Sequence, residues 1–92
     1  MEVKGTLKVK KETQIVSDRF MKRNFVLGID TSTPYPQFVE FQLTQDKCLL
    51  LDQFNEGDEL NVHFNLRGKE WNSPTKGVQY FTTLEAWRIT KV

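Results

Sequence analysis

The residues best placed to do chemistry in this sequence are aromatic and basic side chains that alternate along the chain. Arg67, Lys69 and Trp71 occupy every second position of one segment, and Phe20 and Lys22 do the same in another. In an extended strand, residues two apart share a face, so each set would present a ring beside a cation. An outward aromatic ring carries a large apolar area that favours being covered by a partner. Unstacked bases can cover such rings, at roughly 1–3 kcal/mol per base, while Lys and Arg hold the phosphates. Phe38, Tyr80 and Lys76 extend the candidate set. Packing offers a competing use for the same rings: Trp71 could fold over one end of the structure, and a subunit interface would bury Phe20 and Phe38 equally well. Trp87, beside Ala86 and Ile89, is expected in the core or at an interface.

Catalytic chemistry finds little support. The single cysteine, Cys48, lies on an apolar stripe and reads as a small buried hydrophobe. The one histidine, His63, sits between Asn61 and Asn65 with no carboxylate or cysteine at a motif spacing, so a solvated surface residue is expected. There is no phosphate-cradling glycine loop, nucleophile elbow or paired metal-ligand spacing, and hence no cofactor or metal is expected. Asp46, Asp52, Glu56, Asp58 and Glu59 cluster in sequence and read as one solvated end of the fold. A binding module, not an enzyme, is the expectation.

Charge sharpens this reading. Thirteen Lys and Arg against twelve Asp and Glu give a net charge of +1, yet Met1–Phe25 carries +4, Val26–Leu66 carries −6 and Arg67–Val92 carries +3. Two basic arms flank an acidic middle, so a nucleic-acid partner requires the fold to bring the arms together. With 92 residues and 38% hydrophobic composition, one domain covering residues 1–92 is expected. The longest apolar run, Cys48–Leu51, is far short of a membrane span and the N-terminus has no apolar signal region, which predicts a cytoplasmic protein.

The elements that must position these residues follow from periodicity. Glu2–Ile15 alternates as a first strand, with Gly5 marking a bulge or bend. Phe20–Ile29 is a second, after a turn at Ser17 and Asp18. Asp30–Pro36 is a loop, and Gln37–Leu43 a third strand. Cys48, Leu51 and Phe54 recur every three residues, predicting a short helix over Asp46–Phe54. Leu60–Trp71 is a fourth strand, with Leu60, Val62, Phe64 and Leu66 inward. Val78–Ile89 is the fifth, where Leu84 and Ala86 suggest one inward face and Phe81, Trp87 and Ile89 the other, a conflict that a bulge between Ala86 and Trp87 would reconcile. Five strands with a helix between the third and fourth give an all-β class and match the OB-fold, a closed Greek-key barrel that leaves few exposed edges.

The stretch LRGKEWNSPTKGVQYFTTL, Leu66–Leu84, resembles a hairpin of bacterial single-stranded DNA-binding proteins, in which Arg, a basic residue and Trp precede a polar loop and a strand opening with Tyr. Over nearly the whole chain, MEVKGTL, KRNFVL, YPQFVEFQL, FNEGDELNV and LEAWRI are similar to a family of short OB-fold proteins classed as a domain of unknown function and related to those proteins. This resemblance implies single-stranded DNA crossing the second and third strands and the loop between strands four and five. It assigns stacking to Trp71 and Phe38 and phosphate contacts to Arg67 and Lys69; Phe20, Lys22 and Tyr80 come from outward alternation alone. It further implies a homo-oligomer, a dimer or tetramer. Proteins of that class continue into an acidic-tipped tail that recruits other enzymes, whereas this sequence closes with Thr90, Lys91 and Val92, so such recruitment is not expected. The alternative is a protein-interaction or oligomerisation module with no nucleic-acid ligand; RNA in place of DNA stays open, since only the 2′-hydroxyl separates them.

Overall fold

A computed structural model describes residues 1–92. Its elements are β1 (Glu2–Lys10), β2 (Gln14–Ser17), β3 (Phe20–Ile29), β4 (Gln37–Thr44), the 3-10 helix η1 (Gln45–Gln53), β5 (Glu59–Ser73) and β6 (Gly77–Lys91). The strands lie in the order β1-β5-β6-β4-β3-β2, and β1 also pairs with β3, which closes the sheet on itself. β1 manages both pairings by dividing its length: Glu2–Thr6 lies antiparallel to Glu59–His63 of β5, and Thr6–Lys10 antiparallel to Phe25–Gly28 of β3. A bulge between Leu7 and Val9 accompanies the change of partner. The seam between β4 and β6 is parallel and rests on one residue pair, Gln42 with Glu85.

Alternation places Leu7, Phe25, Leu27, Phe41, Leu43, Leu60 and Val62 in the interior, each at most 1% exposed. Phe25 stacks on Phe41 with ring centroids 5.3 Å apart, and Phe64 meets Phe41 edge-on at 5.2 Å. Both are favourable aromatic geometries. η1 covers one end. Its three-residue period carries Cys48 and Leu51 into the core with the capping residue Phe54 beside them, as a 3-10 helix requires, since side chains three apart eclipse.

Three expectations are corrected. The first strand does not run to Ile15: it ends at Lys10, and Gln14–Ser17 forms a separate strand paired only with β3. The break has a cause in Arg23, whose Nε donates to the Lys11 carbonyl at 2.8 Å and fixes the chain there. β2 lies beyond the core, with Ile15 and Val16 exposed. Leu66, expected inward, is 56% exposed, because β5 and β6 continue past the barrel as a two-stranded ribbon with nothing packed on it. Trp87 is not in the core. The pairing of β5 with β6 steps from His63–Arg88 to Phe64–Ala86, so Trp87 is the extra residue of a bulge. That bulge lets Leu84, Ala86 and Ile89 all face inward and turns Trp87 out, its ring 5.3 Å from that of His63.

The acidic cluster fastens the helix end of the barrel. Arg23, 8% exposed, donates from Nη1 to Asp52 Oδ1 at 2.6 Å and to the Cys48 carbonyl at 3.2 Å. Glu56 accepts from the Lys10 backbone N–H at 3.0 Å, and Asp58 from that of Asn55 at 2.9 Å. These acids satisfy backbone donors that would otherwise lack partners. No helix is long and apolar enough to cross a membrane.

Candidate nucleic-acid interface

Register decides which candidate residues share a face. In antiparallel pairs, directly opposed residues project to the same side. β3 opposes Lys22 to Thr44, Asn24 to Gln42, Val26 to Glu40 and Gly28 to Phe38. β5 opposes Asn65 to Glu85, Arg67 to Thr83, Lys69 to Phe81 and Trp71 to Gln79. The Gln42–Glu85 seam joins the two sets into one outer surface.

Two depressions cross that surface. One, of about 330 Å³, has Phe20, Arg67, Lys69, Phe81 and Glu85 around it, with Gln42 and Thr83 on the side nearest the seam. The other, of about 480 Å³, contains Asn24, Phe38 and Glu40 and shares Gln42 and Thr83 with the first. Together they form a groove from Phe38 on β4 to Phe20 on β3 and Phe81 on β6. Trp71 stands one alternate position beyond Lys69 on the same face of the ribbon, 48% exposed. On the far side of Phe38, a further hollow of about 270 Å³ is bordered by Thr6, Lys8 and Pro36.

The arrangement brings together Trp71, Arg67, Lys69, Phe20, Lys22 and Phe38, drawn from three strands. Tyr80 is not with them. It opposes Glu70 and bonds to that carboxylate through its hydroxyl at 2.9 Å, which places it on the reverse of the ribbon from Trp71. Lys76 is at the tip, in a three-residue loop between Ser73 and Gly77. Ser73 Oγ accepts from the backbone N–H of Lys76 at 3.2 Å, and Gly77 takes φ 75°, the left-handed residue that ends such a loop. Phe81, 52% exposed, is the groove residue that sequence reasoning missed. Its opposition to Lys69 was hidden, because alternation within β6 does not set the register of β6 against β5.

Charges on the groove are of two kinds. Lys11 pairs with Glu40 at 2.6 Å, and this ammonium, helped by Asn24 Nδ2, holds the Glu40 carboxyl below its usual range. Arg67 faces Glu85 at 3.6 Å, an ion pair without a hydrogen bond. Lys8, Lys22 and Lys69 form no ion pair, and the Lys8 ammonium lies 6.0 Å from the centre of the Phe38 ring. The surface therefore offers unpaired cations next to open aromatic rings.

Solved structures superpose on this architecture along its full length. The mitochondrial single-stranded DNA binding protein Rim1 of S. cerevisiae superposes with a TM-score of 0.74 over 100% of this chain and 92% of its own, at 8% identity. The N-terminal domain of PriB from Thermoanaerobacter tencongensis, described as dimeric, superposes with a TM-score of 0.66 over 100% of this chain and 93% of its own, at 16% identity. At these identities the likeness establishes the fold, which is the OB-fold. No curated protein matches the sequence. The family profile described as a domain of unknown function, DUF3127, matches residues 2–90, so nearly every strand that builds the groove lies within it, and the chain belongs to the DUF3127 family.

Proposed function

We propose that this protein is a non-enzymatic module that binds single-stranded DNA, largely without regard to sequence, by stacking bases on aromatic rings and neutralising phosphates. The observation that carries the reading is the groove that sets Phe38, Phe20, Phe81 and Trp71 on one face with Lys22, Lys69 and Arg67. Open rings spread along the groove suit bases of one strand laid across it, and the unpaired lysines suit its phosphates. Lys76, at the ribbon tip, can follow a strand leaving past Trp71. The fold shared with a mitochondrial single-stranded DNA binding protein supports the same class of ligand.

With a net charge of +1, affinity depends on stacking more than on bulk attraction. The test is an anisotropy titration of fluorescent oligothymidylate at low and moderate salt, repeated with oligouridylate. Salt-sensitive binding with quenching of tryptophan emission is expected. Absence of binding at micromolar protein rejects the reading and favours an interaction module. Self-association is part of the proposal, because the similar PriB domain is described as dimeric; light scattering should give a mass above the 10.8 kDa of one chain.

A further inference from the structure

Two carboxylates, Glu40 and Glu85, lie on a surface proposed to hold a polyanion, and their situations differ. Glu40 is occupied, accepting from Lys11 and Asn24. Glu85 is not: its nearest partner, Arg67, stands at 3.6 Å, beyond hydrogen-bond range, so both groups keep free bonding capacity. The pair borders the cleft of about 330 Å³ between Phe20 and Phe81, with the Gln42 carboxamide beside it. An anion at that point repels phosphate and is useful only toward a ligand edge that donates hydrogen bonds.

We propose that this cleft reads one base of the bound strand and prefers guanine. The inference rests on the single-strand reading above. A base lodged between Phe20 and Phe81 presents its edge to Glu85, Arg67 and Gln42. Guanine alone among the four bases carries two adjacent donors, N1–H and the 2-amino group, which match the two oxygens of a carboxylate. Its O6 and N7 accept from a guanidinium. Cytosine and adenine offer one amino group to the carboxylate. Thymine offers a single N–H flanked by two carbonyls that repel it. Edges of unstacked bases are open to this kind of readout.

The test compares unlabelled competitors against fluorescent oligothymidylate: the same thymidine tract with one central dG, dA, dC or deoxyinosine. Inosine keeps N1–H and O6 but lacks the 2-amino group. A central dG should compete about tenfold better than dT, the scale of one good bidentate contact. Inosine should lose most of that gain, and Glu85→Gln should bring dG and dT to within about twofold. Equal competition by dG and dT, with oligothymidylate still bound, overturns the base preference and leaves the single-strand reading standing. Failure to bind any oligonucleotide overturns both. A preference for dG that inosine retains in full, or that survives in Glu85→Gln, overturns the assignment to Glu85. The inosine comparison uses the unaltered protein, so it does not depend on the variant folding.

Discussion

Gly5 of β1 and Gly28 of β3 meet backbone to backbone: a Cβ on Gly5 would fall 2.5 Å from the Gly28 carbonyl oxygen and 2.8 Å from Leu27 Cγ. This contact lies where β1 exchanges β5 for β3 as its partner, so the barrel closes at a point that admits no side chain. Gly28 also borders the hollow beyond Phe38, where a Cβ would crowd Thr31 Cγ2 at 2.9 Å and meet the Phe38 ring at an ordinary 3.5 Å. Gly5→Ala should therefore destabilise the protein by about 1–3 kcal/mol, the usual cost of overpacking. Urea denaturation followed by circular dichroism measures it; an unchanged midpoint would show that β1 and β3 can separate without penalty.

Trp71 and Tyr80 provide an internal contrast. Both are exposed aromatics on the same ribbon, but they project from opposite faces. Trp71→Ala should weaken binding of single-stranded DNA by about 1–3 kcal/mol, whereas Tyr80→Ala should cost much less. Equal losses in the two variants would place the strand on both faces of the ribbon or at its tip.

Salt dependence counts phosphate contacts. If Lys8, Lys22, Lys69 and Lys76 each meet one phosphate while Arg67 turns to a base edge, the slope of log affinity against log salt should be about −3, at about −0.7 per contact for single strands. Lys69→Ala should make it shallower by about 0.7. A slope that Lys69→Ala leaves unchanged would remove this residue from the backbone path.

Asp52 sets an acid limit on stability. The Arg23 hydrogen bond lowers its pKa from the ordinary 3.8, so the folded state releases this proton more readily than the unfolded chain. A depressed carboxylate contributes stability that is complete above its unfolded pKa and fades as pH falls through the folded one. The advantage of the native protein over Asp52→Asn should be full at pH 7 and shrink at about pH 3. Urea midpoints at the two pH values test this; a constant difference would mean that the Arg23 pair does not govern acid unfolding.

Much of the barrel was legible in the sequence because its signals are local. Leu60, Val62 and Phe64 alternate on a half-buried strand, and Cys48, Leu51 and Phe54 repeat every three residues. The conflict between Ala86 and Trp87 announced a bulge. Each reflects the geometry of a few consecutive residues against one apolar interior. The same signals located Trp71, Lys69 and Arg67 on one face of one strand.

Tertiary structure decided the rest, because it depends on which strands lie side by side. Alternation assigns a residue to one of two faces of its own strand; it does not say which residue on another strand stands opposite. Only the register of β5 with β6 put Phe81 next to Lys69 and sent Tyr80 behind the ribbon. Only the seam of Gln42 with Glu85 joined Phe38 to Phe20 and Arg67 in one groove. Arg23 shows the same limit: within β3 it is one of two adjacent cations, and its role appears when Lys11, Cys48 and Asp52 converge on it from elsewhere in the chain. The sequence determined the faces of this protein, and the closure of the barrel determined which faces became neighbours.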